Sequence, residues 1–455
     1  MLVIHDINSS HTQEKLAVLS GSEAESIKSL HLRPCTDAKS QGHTLRHKRS
    51  WGGITRLQSR KARDARARLS NLRNLSRLEH FDVQCDPTDD IDAFKQILPS
   101  LRLSWSGYST SLRSLSLRIP LECYQGLFCS SLVLPRLSKL VIHVFASHHS
   151  TNPVDPMCSA LVPFINRHTP SLESLSIVTP QTGTADLSPM FHKLKFFPRL
   201  TSISLAFCAL SLECINLAGI QEFFSSHSYQ LEDVYLHFNR MVGLKAENFR
   251  ADIFFALPLF HVPLHCLKSL DIGFTGFRDA TGFWTIAYAH HFTETLERLV
   301  LRHTQLSTTS LARLAEPFSQ LRKLEVAVEQ FTPTVLDVLS TSLPQLTELR
   351  LSFLGYSGDD SFYESFEDPS MTQDFCSEMG RRLYPGWNLR HLKTHIITPR
   401  TKDRSSPVLL APNVDLCLRV LTSALPSVQT INGIRRSSLL QPERSRHWNV
   451  SVHDN

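Results

Sequence analysis

The sequence predicts an α/β solenoid, with one short strand and one helical segment per repeat. Three observations predict it. A Leu-x-x-Leu-x-Leu phrase, with Ile or Val admitted at the apolar places, returns along the chain at a spacing of 25 to 36 residues. Stretches with helical character lie between successive phrases, at Pro156–His168, Cys214–Ser226, Thr308–Phe318, Pro333–Leu343 and Asn413–Leu425. Prolines such as Pro170, Pro198, Pro344 and Pro426 stand one or two residues before the next phrase.

The phrase reads as a strand because its second and third apolar positions are two apart and so share one face. Nine copies are clear: Leu112/Leu115/Leu117, Leu137/Leu140/Ile142, Leu172/Leu175/Ile177, Leu200/Ile203/Leu205, Leu231/Val234/Leu236, Leu267/Leu270/Ile272, Leu296/Leu299/Leu301, Leu321/Leu324/Val326 and Leu346/Leu349/Leu351. Weaker copies sit at Ile27/Leu30/Leu32, Leu78/Phe81/Val83, Leu389/Leu392 and Val428/Ile431. Several copies run on to a polar ninth place, as at Cys208, Asn239, Thr275 and Thr304, where the side chain is expected to satisfy turn backbone. This is the pattern of leucine-rich-repeat proteins, and no single unit of it can bury its leucines without neighbours. Thr309 and Ser310 supply expected capping residues for the helix that follows. The prolines stop each helix and extend the chain into the next strand. The expected assembly is a right-handed βα horseshoe of the ribonuclease-inhibitor type, with strands inside and helices outside.

The domain reading is an N-terminal segment over 1–23, a solenoid over 24–433 and a disordered tail over 434–455. Three insertions interrupt the period. Residues 33–73 are basic, with ten Lys or Arg between Arg46 and Arg73 against Asp64 alone. They carry no aromatic platform beyond Trp51, which favours a solvated insertion over a nucleic-acid partner. Residues 357–374 are acidic and read as a loop, and 398–412 form a second, proline-bearing loop.

The chain of 455 residues has a formal charge of +6, too small to indicate nucleic acid. No apolar run approaches the roughly 20 residues of a membrane helix. Ten cysteines without a Cys-x-x-Cys pair, and no signal peptide, suggest reduced thiols and a cytoplasmic or nuclear location. No phosphate-binding loop, nucleophile elbow, zinc-protease or dinucleotide signature occurs, so no catalytic residue and no cofactor is expected. Among the 22 histidines, His143/His148/His149 and His261/His265 beside Cys266 cluster without a metal-ligand spacing; no metal is expected.

Binding should therefore fall to the strand residues between the leucines, which point out of the concave face. Tyr235, His237, Asp271, Arg298 and Arg302 are the expected protein-contact patch, because Tyr and Arg dominate interface energy. The competing reading is a solvated charge ladder, with Lys323 beside Glu348 and Glu325 beside Arg350.

The lead-ins Pro135-Arg-Leu-Ser-Lys-Leu140, Pro198-Arg-Leu-Thr-Ser-Ile203 and Pro344-Gln-Leu-Thr-Glu-Leu349, with Ile27-Lys-Ser-Leu-His-Leu32, resemble fungal F-box/leucine-rich-repeat proteins over residues 24–433. The resemblance implies repeats that hold a protein substrate and an F-box that docks an adaptor of a cullin-type ubiquitin ligase. The Leu-Pro-x-Glu-Ile/Leu phrase that opens an F-box is not found, and only some two dozen residues precede the first repeat-like phrase. The expected function is thus substrate recognition for such a ligase or for a relative lacking the F-box. The alternative is a stand-alone scaffold or inhibitor.

Overall fold

The computed structural model describes residues 2–5, 26–33, 70–85, 89, 91–128, 132–145, 157–179, 186–209, 215–240, 250–277, 282–357, 369–397 and 414–440. Most of the basic insertion, the core of the acidic segment, the loop 398–412 and residues 441–455 lie outside these, as do His148 and His149. The chain divides into two compact units, Met1–Leu267 with Gly273–Ala280, and Lys268–Ile272 with Thr281–Asn455.

In the first unit, β1 (Leu2–His5), β2 (Ser29–Arg33), β3 (His80–Gln84), β4 (Ser114–Pro120), β5 (Lys139–Phe145), β6 (Ser174–Val178), β7 (Ser202–Ala209) and β8 (Asp233–Arg240) follow in chain order. Each pairs in parallel with the next. The register matches equivalent leucines: Leu115 lies beside Leu140, Leu140 beside Leu175 and Leu175 beside Ile203. All four are buried. β1, inside the segment read as preceding the solenoid, pairs Leu2 with Leu30 and so adds a strand to it.

The second unit takes the first residues of β9 (Ser269–Thr275), then β10 (Arg298–Leu306), β11 (Lys323–Val328), β12 (Glu348–Phe353), β13 (His391–Ile396) and β14 (Thr430–Ile431). From β10 to β14 each strand again pairs in parallel with the next. β15 (Ile434–Arg435) then turns back antiparallel on β14. Asn432 and Gly433 join them, with φ of 51° and 79°. Asn-Gly favours this left-handed, two-residue turn. A disordered tail beginning at residue 434 is therefore corrected: β15 and a helical turn, Arg436–Leu439, follow the solenoid.

One backbone device repeats through both units. The residue before most strands offers its carbonyl to two successive N–H groups of the next repeat. The Arg113 carbonyl accepts from Ser138 and Lys139, and the Glu297 carbonyl from Arg322 and Lys323. Both oxygen lone pairs are used, so every coil starts at the same height as its neighbour. With leucines stacked behind the strands and helices packed outside them, each unit is an α/β leucine-rich-repeat solenoid.

The helices depart from expectation in informative places. The longest among the described residues, Ile91–Tyr108, has no counterpart in the sequence pattern and contains Pro99. It packs Trp105 and Tyr108 around Phe81 of β3, with ring centroids 5.5–5.8 Å apart. Ser307, not Thr309 or Ser310, caps the helix Thr308–Ala315, its Oγ accepting from the Ser310 N–H. Residues 369–374, read as part of an acidic loop, begin the helix Pro369–Met379. Pro369 starts a helix readily because its missing N–H would have had no partner there.

Candidate protein-binding strand face

The residues between the strand leucines form a face of fixed rows, because parallel strands in register set equivalent side chains about 4.8 Å apart. Burial sorts these rows. In β6 the face residues Ser174, Ser176 and Val178 alternate as half-buried between fully buried Leu175 and Ile177. His237, Ser269, Asp271 and Val300 lie on expected face positions yet are at most 7% exposed. Alternation predicts that they face solvent; Tyr235 covers His237, and Arg298 and Arg302 cover Ser269 and Asp271.

In the first unit Tyr235 covers His237. Their rings stack with centroids 3.8 Å apart, and the Tyr235 hydroxyl lies 2.8 Å from His237 Nδ1. The stack leaves Tyr235 half-buried and fixes its ring on the strand. An aromatic side chain already ordered before contact loses little entropy on binding. At the start of the same unit, His31 and Gln84 both reach Asp82 Oδ2, at 3.1 and 2.8 Å.

In the second unit Asp271, only 3% exposed, is the centre of a charged cluster. Arg302 grips it with two groups, Nε 3.0 Å from Oδ1 and Nη2 3.0 Å from Oδ2. Arg298 donates to Ser269 Oγ at 3.0 Å and stands 3.9 Å from Asp271 Oδ2. One buried carboxylate thus orients two arginines whose side chains remain 37% and 41% exposed. A planar guanidinium held in this way offers its remaining donors in a fixed direction.

The chain is distorted at this point. β10 and β11 are in register from Arg298 to Val300, then the pairing jumps to Gln305 beside Ala327. His303, within the excursion, has φ of 60°. Such bulges redirect side chains locally, here at Arg302. Thr304, expected to satisfy turn backbone, is buried instead, and its Oγ1 has no hydrogen-bond partner.

From β10 to β13 the face becomes an open groove of about 180 Å³. Lys323 meets Glu348 at 2.9 Å and Arg350 meets Glu325 at 3.6 Å, the two sideways pairs the register implied. These half-exposed pairs add little stability, roughly 0–1 kcal/mol each.

Two buried histidines belong to the scaffold and escaped the sequence reading. His168 Nδ1 donates to the Phe164 carbonyl while Nε2 accepts from the Leu134 N–H. His227 repeats the arrangement, with Phe223 and Phe197. Burial lowers both pKa values and keeps the rings neutral, as their paired donor and acceptor roles require. The signal was present as Phe-x-x-x-His-x-x-x-Leu at Phe164/His168/Leu172 and Phe223/His227/Leu231. Cys376 and Cys417 place their sulfurs 3.5 Å apart in the helical layer of the second unit. Donating its proton to Cys376, together with burial, raises the Cys417 thiol pKa. Among the described residues no three His, Cys, Asp or Glu converge as metal ligands, and no helix is long and apolar enough to cross a membrane.

No family model and no curated protein matches the chain. Among solved structures, a chain in the crystal structure of the yeast Rad7 and Elc1 complex aligns with 15% identity and a TM-score of 0.39, covering 80% of this chain and 88% of that one. A Bacteroides fragilis protein aligns with 15% identity and a TM-score of 0.28, covering 65% and 71%.

Proposed function

We propose that this protein binds another protein through the strand faces of its leucine-rich repeats. The observation that carries the reading is the preorganised Asp271–Arg298–Arg302 cluster. A carboxylate 3% exposed and ion-paired to two half-exposed arginines costs desolvation that surface pairing does not repay well. Its evident benefit is to hold arginines in place for contact. Tyr235, stacked on His237, supports the same reading in the other unit. The finer assignment is substrate recognition for a cullin-type ubiquitin ligase, or a relative lacking the F-box. It rests on the resemblance of the repeat lead-ins to fungal F-box/leucine-rich-repeat proteins.

Affinity purification of the full chain from its native cells, followed by mass spectrometry, tests both levels. A protein retained by the wild type and lost from the Tyr235→Ala/Arg302→Ala variant supports strand-face binding. Retention of that protein by the variant, or recovery of none by the wild type, contradicts it. Co-recovery of a cullin adaptor supports the ligase assignment; a retained partner with no adaptor favours a stand-alone scaffold.

A further inference from the structure

The groove across β10 to β13 has an excess of positive charge that its internal pairs do not consume. Arg298, Lys323, Arg350 and Lys393 line it against two carboxylates, Glu325 and Glu348. Lys323 and Glu348 neutralise each other, as do Arg350 and Glu325. Two cations remain. Arg298 and Arg302 share the single charge of Asp271, which leaves one positive charge uncompensated at that end of the groove. Lys393 is exposed and has no acidic partner among the described residues. The register fixes where these two cations stand. Arg298, Lys323, Glu348 and His391 form one row, and Glu325, Arg350 and Lys393 form the next. Arg298 and Lys393 therefore occupy opposite ends of the groove, three strand spacings across and two residues along the strands, about 16 Å apart. The neutral pairs lie between them.

We infer that this groove receives an acidic, extended polypeptide segment running across the strands, with one carboxylate at Arg298 and another at Lys393. An extended chain advances roughly 3.3 Å per residue and returns a side chain to the same face every second residue. Two acidic residues four apart in sequence point the same way and stand about 13 Å apart, and the long Arg298 and Lys393 side chains reach the remaining few ångströms. Residues between them face the neutral Lys323–Glu348 and Arg350–Glu325 pairs, which can exchange partners with polar side chains. The inference rests on the strand-face reading above and adds the partner's chemistry to it.

The test uses the full chain and a fluorescein-labelled peptide of six Glu-Ser repeats, read by anisotropy at low and at physiological salt. The wild type is expected to bind it, to weaken as salt rises, and to ignore the matching Lys-Ser peptide. Arg298→Glu and Lys393→Glu should each weaken binding by about tenfold. Arg419→Glu, an exposed cation on the helix Val414–Ala424, should leave it unchanged. Circular dichroism of each variant checks that it remains folded. Equal loss in all three variants would show that overall charge, not the groove, attracts the peptide, and would overturn the inference. So would no binding by the wild type. The purified native partner separates this failure from that of the broader reading. A partner retained equally by wild type, Arg298→Glu and Lys393→Glu would sink the acidic-segment inference while leaving strand-face binding in place.

Discussion

Asp271 ties local stability to the two arginines that we propose contact a partner. Its carboxylate is buried, so its charge is tolerated only because Arg302 and Arg298 surround it. Asp271→Asn keeps the shape and removes the charge. It should cost about 2–3 kcal/mol in urea unfolding, below the usual loss for a fully buried pair because both guanidiniums reach water. An unchanged unfolding midpoint would show that the arginines are not held by this carboxylate. His168 and His227 give a pH dependence of definite sign. Their folded pKa values lie below the ordinary histidine value, so the unfolded chain takes up the protons more readily. Their contribution is complete above about pH 6.5 and is lost as pH falls from there towards the depressed folded values. Thermal melts between pH 7.5 and 5.5 should show falling stability, and a His168→Gln/His227→Gln variant should show a shallower fall. A variant with the same slope would locate the dependence elsewhere.

Individual elements depend on local features of two kinds, and only one kind was legible. The Ser307 cap lies one residue before the expected stretch Thr308–Phe318 and two before the expected cap Thr309, since Ser307 has the extended backbone that a cap requires. Ser307→Ala should cost about 1 kcal/mol, measured by chemical denaturation, whereas Thr309→Ala should cost much less. Gly107 is a packing constraint without a sequence signal. A Cβ there would stand 2.1 Å from the Arg73 carbonyl oxygen, backbone that cannot simply rotate away. Gly107→Ala should therefore destabilise the first unit despite alanine's better helix propensity, and a neutral or stabilising result would contradict this packing. The helix Ile91–Tyr108 was missed because Pro99 interrupts the expected pattern while Phe81, Trp105 and Tyr108 still supply its buried contacts. The closing hairpin was legible in Ile431-Asn432-Gly433-Ile434, but the polar residues beyond it drew the boundary of the tail too early.

At the scale of the whole molecule, the period was readable because every coil must place leucines at the same depth to bury them against its neighbours. Leu112, Leu137, Leu172, Leu200, Leu231, Leu267 and Leu296 are all fully buried, as the recurring phrase required. The strand-to-strand pairs Lys323–Glu348 and Glu325–Arg350 followed from that register. Burial on the strand face was not readable, because it depends on the size of neighbours from adjacent coils. Asp271 between two arginines is a product of such neighbours, and His237 is covered by Tyr235 two residues earlier on its own strand. The β10 bulge was hidden for a related reason: Thr304 fits the consensus spacing, while the strand pairing breaks between Val300 and Gln305. Site-specific photocross-linking addresses the binding claim at this scale. A benzophenone amino acid placed in turn at Tyr235, Arg350 and Arg419 of the full chain samples the strand faces of both units and one outer helix. Binding through the strand faces predicts partner adducts from the first two positions and none from the third. Adducts from Arg419 alone would contradict it.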